Sequence, residues 1–177
     1  GPSFAWPKHQ DVLTWQGELT DPQQNAALKI VDTINHHGEL LVWAVTGAGK
    51  TEMFFPGIHQ ALQQGKRICI ATPRTDVVRE LLPRLQQAFQ SIHIQALYSG
   101  SRDNDGTAQL LLSTTHQLLR YQHAFDVLII DEIDAFPYHQ DATLQFAAKR
   151  AVKQSSALIY LTATPREQQL RLLSARK

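Results

Sequence analysis

Short apolar runs alternate with segments of helical periodicity along most of the chain. Runs of four to six apolar residues bounded by polar or glycine-containing turns indicate buried strands. Apolar residues three and four positions apart, as at Ala27, Ile30 and Ile34, indicate amphipathic helices. The pattern predicts a first helix that starts at residues 21–22 and is closed by residues 36–38, and further helices over residues 52–64, 76–90, 116–121 and 142–153. It predicts strands over residues 39–44, 67–71, 92–97, 108–113, 125–130 and 157–161.

This alternation predicts an α/β fold with a parallel sheet and helices on both of its faces. With 177 residues, 43% of them hydrophobic, the chain is long enough for one sizeable core. We expect an irregular leader over residues 1–18 and a single domain over residues 19–177. The first two residues, Gly1 and Pro2, resemble the pair left when a protease removes a tag.

Charge and cysteine content exclude several classes of protein. The formal net charge of +1 excludes a polybasic nucleic-acid arm, so an anionic partner must meet a local patch or backbone groups. One cysteine, Cys69, allows neither an intramolecular disulfide nor a multi-cysteine zinc site within this chain, and we expect it in a buried strand. No apolar run approaches the roughly 18 residues that a membrane-spanning helix needs.

A glycine-containing turn joins the first predicted strand to the next helix. It reads Thr46, Gly47, Ala48, Gly49, Lys50 and Thr51. In a phosphate-binding loop, glycines turn backbone N–H groups toward an anion at the positive end of the following helix. Lys50 would then reach the β- and γ-phosphates of a nucleotide, and the hydroxyl of Thr51 would ligate Mg²⁺. Ala44 departs from the usual pattern, which has a glycine at that position.

An acidic segment, residues 131–134, follows the aliphatic strand 125–130. Ligands of parallel α/β sheets bind beyond the carboxyl ends of the strands, so Lys50 and Asp131 are expected at the same edge. Asp131 can hold Mg²⁺, and Glu132 can orient and deprotonate an attacking water. Such a cluster alone is usually a solvated turn, but together with the loop it predicts a nucleoside triphosphatase.

An ordered series of segments resembles the first RecA-like lobe of superfamily 2 helicases and translocases. The segments are residues 19–23, the loop 47–51, residues 71–74, residues 113–115, the acidic segment 131–134 and residues 162–164. The resemblance implies a RecA-like P-loop domain that binds ATP and Mg²⁺. It also implies that Gln23, or Gln24 in another register, reads adenine, and that Thr162, Ala163 and Thr164 couple this lobe to a second one.

Within that superfamily, the phrases WAVTGAGKTEM (residues 43–53), DEIDAFPY (131–138) and LTATP (161–165) resemble the family of the late competence protein ComFA. The resemblance implies a cytoplasmic ATPase that drives single-stranded DNA inward during DNA uptake, with a peripheral position at the inner face of the cell membrane. It also implies a second RecA-like lobe and an upstream zinc module, neither of which this chain contains. Other competence proteins, such as a ComFC-like partner and a membrane DNA channel, are further implied partners.

Two other functions remain open. One is a lobe of a replication-restart helicase resembling PriA, and the other is a non-catalytic module that binds ATP or DNA. The presence of both Lys50 and Glu132 favours an enzyme, although this lobe alone is expected to be nearly inactive.

Nucleic-acid contacts are expected in loops that follow strands on the same edge of the sheet. The candidates are Pro73, Arg74, Ser99, Gly100, Arg102, Thr114 and Thr115. Hydroxyls, glycine N–H groups and arginines bind phosphate oxygens without reading sequence, and Tyr98 could stack on a base. A threonine at 114 or 115 could equally cap the following helix. Trp15 could cover the adenine or pack in the core, and the role of residues 136–138 cannot be inferred from their sequence.

Overall fold

The computed structural model describes residues 5–43, 50–101, 105–132 and 138–162, with backbone only at 138–141. Its six strands form one sheet in the order β1-β6-β5-β2-β4-β3, and every pair is parallel. The strands are β1 (Gly38–Trp43), β2 (Ile68–Thr72), β3 (Ile94–Leu97), β4 (Leu110–Thr114), β5 (Phe125–Ile130) and β6 (Val152–Thr162). The α-helices are α1 (Asp21–His36), α2 (Phe55–Gln63), α3 (Thr75–Ala88) and α4 (Tyr138–Ala151), with 3₁₀ turns at Glu52–Phe54 and Thr115–Arg120.

Hydrophobic cores lie on both faces of the sheet, as the sequence predicted. Along β2, Ile68 and Ile70 join the core under α1, α2 and α3, whereas Cys69 and Ala71 join the core under α4. All five residues of β2 are buried, because helices cover both faces of this central strand. Since all strands run the same way, we name their two ends the amino edge and the carboxyl edge of the sheet.

The boundary between α4 and β6 differs from the prediction. Residues 152 and 153 were expected in the helix, but α4 ends at Ala151 and β6 begins at the next residue. Val152 pairs with Phe125, and a register shift then aligns Ala157 with Val127. No glycine or proline separates the two elements, so the local pattern gave no sign of the change.

Strand β6 lies between β1 and β5, and this brings three strand ends together. Trp43 at the end of β1 pairs with Thr162 at the end of β6. Tyr160, two residues before Thr162, pairs with Ile130 at the end of β5. The segments that follow β1 and β5, which carry the loop residues and the acidic residues, therefore start from neighbouring positions on the carboxyl edge.

The leader residues 5–20 form neither helix nor strand, but they pack along the helices. The His9 amide donates to the carbonyl of Leu62 at 3.0 Å, and the Thr14 amide donates to that of Ala88 at 2.7 Å. Trp15 makes an edge contact with Phe55, with ring centroids 5.4 Å apart. Trp15 therefore packs against the core, which is one of the two roles that its sequence position suggested.

Arg67 organises the amino edge next to β2. Its side chain is largely buried, and its Nε and Nη2 donate to the carbonyls of Ala108 and Gly106. The guanidinium also lies over three aromatic rings, at 4.8 Å from Trp6, 5.1 Å from Phe125 and 5.7 Å from Tyr121. Burial lowers the pKa of this guanidinium. The Arg67 side chain therefore connects the leader at Trp6, the segment before β4 at residues 106–108 and strand β5 at Phe125.

Candidate functional site

Lys50 and Asp131 meet at the carboxyl edge. The Asp131 amide donates to the carbonyl of Ala71 at 2.8 Å, which keeps the chain beyond β5 aligned with β2. Lys50 Nζ lies 2.9 Å from Asp131 Oδ1, and the Asp131 side chain is only 3% exposed. The contact is an ion pair without hydrogen-bond alignment, since Oδ1 has no hydrogen-bond partner among the described residues. The structure thus brings together two predicted catalytic residues that are far apart in the chain.

Three buried side-chain oxygens have neither a hydrogen bond nor an ion pair within the part of the chain that the structure describes. These orphan oxygens are Glu52 Oε2, Thr72 Oγ1 and Glu132 Oε2. Each belongs to a segment at the end of β2 or β5, or to the turn that follows Lys50 and Thr51. A buried polar atom without a partner costs about 1–3 kcal/mol. A set of them at one edge indicates a site built to receive further polar groups.

The donor set fits Mg²⁺. Thr51 is 4% exposed and Asp131 is 2% exposed, so a hydroxyl and a carboxylate are held in the protein at this edge. Hard oxygen donors of this kind, completed by water and phosphate oxygens, are what Mg²⁺ prefers. Among the described residues there is no group of three or more histidine, cysteine, aspartate or glutamate side chains that could hold a metal ion by itself.

The predicted loop residues Thr46, Gly47, Ala48 and Gly49 lie outside the described residues, and so do Arg102, Ala163 and Thr164. Their proposed roles remain predictions. Thr162, the first residue of the predicted coupling segment, is fully buried at the end of β6.

Glu132 has an unusual backbone conformation. Its φ is +57°, in the left-handed region that non-glycine residues seldom occupy. Its side chain is 24% exposed, and Oε1 lies 4.0 Å from Arg74 Nη1. Residues held in such conformations are concentrated at functional sites, where the surrounding structure compensates their cost. The identity of the residue gave no sequence signal for this strain.

Arg74 lies just beyond the end of β2, at the N-cap of α3. Its Nε and Nη2 donate to the two carboxylate oxygens of Asp76, at 3.3 and 2.8 Å. These hydrogen bonds raise the pKa of Arg74 and lower the pKa of the Asp76 carboxyl. The Arg74 side chain as a whole remains 57% exposed. Asp76 was not among the candidates from the sequence, although its position two residues after Arg74 could have indicated this pairing.

The other candidate nucleic-acid residues differ in accessibility. Ser99 and Gly100 are exposed in a turn closed by a hydrogen bond from the Ser101 amide to the Tyr98 carbonyl at 3.0 Å. Gly100 has a φ of +86°, which this turn requires of a glycine. Tyr98 is partly buried against the core.

Thr114 and Thr115 are 8% and 9% exposed, so only a small part of each side chain reaches the surface. Thr114 occupies the N-cap position of the following 3₁₀ turn, but its side chain makes no capping hydrogen bond. Pro73 is half-buried beside Arg74.

The first turn of α1 places Gln23 in a capping box. The Thr20 amide donates to Gln23 Oε1 at 2.8 Å, and the Gln23 amide donates to Thr20 Oγ1 at 3.4 Å. A threonine followed three residues later by glutamine is the sequence signature of this motif, which the interpretation as an adenine contact overlooked. The Gln24 amide donates to the Thr20 carbonyl, as expected in the first helical turn.

Glu52 and Arg84 are two residues that the sequence interpretation missed. Glu52 follows Thr51, and its Oε1 pairs with Arg84 Nη2 on α3. This ion pair connects the turn after the loop to α3, the helix for which Arg74 is the N-cap. No sequence signal indicated the pairing, because it depends on how α3 packs.

Two solved structures share this fold. The Sulfolobus solfataricus SWI2/SNF2 ATPase core in complex with dsDNA matches with a TM-score of 0.73 at 16% identity, over 91% of this chain and 35% of that chain. The UvsW helicase from bacteriophage T4 matches with a TM-score of 0.71 at 14% identity, over 97% of this chain and 60% of that chain. The fold is therefore that of a RecA-like helicase lobe, as the sequence resemblance implied.

The family described as "Type III restriction enzyme, res subunit" matches residues 16–167, and the chain belongs to this family. The chain is 56% identical over 170 residues to competence protein ComFA of Bacillus subtilis, and the match covers 93% of this chain. ComFA of Streptococcus pneumoniae is 44% identical over 163 residues. Replication restart protein PriA of Bacillus subtilis is more distant, with 25% identity over 83% of this chain. The resemblance to ComFA is confirmed, and the chain spans 37% of the length of each ComFA relative.

No helix among the described residues is long and apolar enough to cross a membrane.

Proposed function

We propose that this chain is the first of two RecA-like lobes of an ATP-dependent single-stranded DNA translocase of bacterial DNA uptake. The observation that carries the proposal is the meeting of Lys50 and Asp131 at 2.9 Å, next to orphan oxygens, on the carboxyl edge. This is where a parallel α/β sheet binds its ligand. The similarity to two ComFA proteins supports DNA uptake as the process.

In this proposal, different residues of the loop bind different parts of the ATP molecule and its Mg²⁺. The backbone of residues 46–49 surrounds the phosphates, and Lys50 neutralises charge on the β- and γ-phosphates. Thr51 and Asp131 would hold Mg²⁺, which when bound screens the charge of the phosphates. Glu132 orients the attacking water and accepts its proton.

Single-stranded DNA is the proposed nucleic-acid partner. Arg74, Ser99 and Gly100 are exposed beyond the ends of β2 and β3, so they can meet the phosphate backbone along the carboxyl edge. The remaining contacts of the proposed track are Pro73, Arg102, Thr114 and Thr115. Thr162, Ala163 and Thr164 are proposed to couple the track to the second lobe, and a ComFC-like protein and a membrane DNA channel are proposed partners.

A PriA-like role is the second candidate, since PriA proteins align with most of this chain. Their identity is 25%, against 56% for ComFA of Bacillus subtilis, which favours DNA uptake.

The test is a steady-state ATPase assay on the full-length two-lobed protein, with and without single-stranded and double-stranded oligonucleotides. We expect turnover that depends on single-stranded DNA and is abolished in Lys50→Ala, because the phosphates lose their cation. Turnover that ignores DNA, or a Lys50→Ala protein whose ATP affinity stays within about threefold of wild type, would contradict the proposal.

The isolated 177-residue chain is a second arm of the same assay. We expect it to bind Mg²⁺·ATP weakly and to hydrolyse it about 10³–10⁵-fold more slowly than the two-lobed protein, because an arginine from the second lobe is missing. Comparable rates in the two proteins would show that one lobe suffices.

A further inference from the structure

Arg74 stands between two acidic side chains and uses different nitrogens for each. Nε and Nη2 are occupied by Asp76, at 3.3 and 2.8 Å. Nη1 is left to face Glu132, whose Oε1 lies at 4.0 Å. Asp76 therefore restrains the guanidinium, and Nη1 is the nitrogen that lies within ion-pair distance of the residue that we propose as the catalytic base.

Glu132 is restrained at its backbone and incompletely paired at its side chain. Its φ of +57° sets the direction in which the side chain leaves the main chain. Its Oε2 is one of the orphan oxygens. Among the described residues, Oε1 forms a weak ion pair with Arg74. A guanidinium close to a carboxylate competes with a water molecule for the lone pairs that a general base needs.

A nucleic-acid phosphate can reach the same guanidinium. Arg74 is 57% exposed and lies at the carboxyl edge, just after β2. Phosphate oxygens bind arginine in the same planar, charge-assisted way as carboxylates do. Since Asp76 occupies the other side of the group, an arriving phosphate competes with Glu132 for Nη1.

We propose that Arg74 is a positioning residue that restrains Glu132 until a nucleic-acid phosphate draws Nη1 away. The contact then links DNA binding directly to the catalytic base, and DNA stimulates hydrolysis by relieving a restraint. This inference rests on the proposed function, in which Glu132 is the base and the carboxyl edge meets DNA.

The experiment measures single-turnover ATP hydrolysis by the full-length protein, with and without single-stranded oligonucleotide, for wild type and Arg74→Gln. We expect the DNA-free rate of the variant to rise by about threefold or more, with the stimulation by DNA reduced by a similar factor. The KM for ATP should stay within about twofold. A residue that served only as a DNA contact would weaken DNA binding and leave the DNA-free rate unchanged, and structural damage would lower that rate.

Three further variants sharpen the test. Arg79→Gln removes an exposed arginine from the same helix and should leave the DNA-free rate at the wild-type value. Arg74→Lys keeps a cation near Glu132 and should restore part of the restraint. Asp76→Asn loosens the hold on Nε and Nη2, so the guanidinium can turn toward Glu132, and we expect the DNA-free rate to fall by about twofold or more.

The outcomes separate the two proposals. A wild-type protein that DNA does not stimulate overturns the proposed function. If DNA stimulates the wild type but the DNA-free rate of Arg74→Gln is no higher than that of wild type, only the role of Arg74 is overturned. The same holds if DNA-free turnover is too slow to detect in both proteins.

Discussion

The two edges of the sheet differ in whether their buried polar groups have hydrogen-bond partners. At the amino edge, Arg67 donates to two carbonyls and contacts three rings, and its own amide donates to Asp126 at 2.8 Å. Nearby, Gln109 donates to the carbonyls of Lys66 and Pro7 and pairs with the ring of His9. Within the described residues, all three orphan oxygens lie instead at the carboxyl edge or in the turn after Thr51.

The difference separates stability from function. Satisfied polar groups at the amino edge hold together the leader, α2 and the loop before β4. The unsatisfied oxygens at the carboxyl edge cost stability in the protein alone, and in the proposed function they face the Mg²⁺, water and phosphates of the bound nucleotide. Removing a group at one edge should therefore reduce stability, and removing one at the other should mainly reduce activity.

The largest expected effect is on turnover at the carboxyl edge. Glu132→Gln keeps the shape and hydrogen bonding of the side chain but removes the base, so kcat of the full-length protein should fall by about 10²–10⁴-fold. ATP affinity, measured by equilibrium binding, should change little. Near-normal hydrolysis by this variant would rule out the role given to Glu132.

Arg67→Met tests the amino edge. It keeps the length of the side chain but removes the donor to the Ala108 carbonyl and leaves the Gly106 carbonyl with only the Tyr121 hydroxyl, so the free energy of unfolding should fall by about 2–4 kcal/mol. Urea denaturation measures this loss. The exposed Arg79→Met is the matched control and should change stability by less than about 0.5 kcal/mol. If the loss in Arg67→Met were no larger than in the control, the amino edge would not carry the stability assigned to it.

A smaller effect with the opposite sign is expected at Thr72, whose buried Oγ1 is an orphan oxygen. Thr72→Val replaces the hydroxyl by a methyl group of similar size and should raise the free energy of unfolding without nucleotide by about 1 kcal/mol. Thr114→Val, at the register partner on β4, is the control, since its hydroxyl is not an orphan oxygen. Equal effects at the two positions would show that the orphan state of Thr72 carries no cost.

The smallest effect concerns Cys69, which lies between the edges on β2. Burial raises the pKa of its thiol from an ordinary value of 9.0 to about 12. Above pH 9 the unfolded chain loses this proton while the folded protein keeps it. The stability present below pH 9 is therefore lost as the pH rises, by about 0.8 kcal/mol near pH 9.5. Denaturation of wild type and Cys69→Ala across this range should show the steeper decline in wild type, and parallel curves would contradict the shift.

The parts of this molecule that could be predicted from sequence are those determined by local pattern. Apolar runs located all six strands of the described sheet, and the rule that parallel strands end at one edge predicted that Lys50 and Asp131 lie at the same edge. The end of α4 could not be predicted, because helix passes into strand without a turn residue. The strain at Glu132 and its approach to Arg74 depend on how α3 and β5 pack, and a sequence pattern does not contain that information.

The place of β6 in the sheet also bears on how this protein is made. Gly38 of β1 pairs with Ala157 of β6, more than a hundred residues later in the chain, and in the described sheet β6 is the only neighbour of β1. During synthesis β1 emerges before β6 and must wait for that strand before it can be paired in this sheet, and such distant pairings form slowly. Lys50 follows β1 and Asp131 follows β5, so the two residues can reach their observed positions only after β6 has been inserted between those strands. In the proposed function, nucleotide can therefore stabilise the lobe only after β6 has been inserted, and binding of ATP by a nascent chain would mark the completion of this sheet.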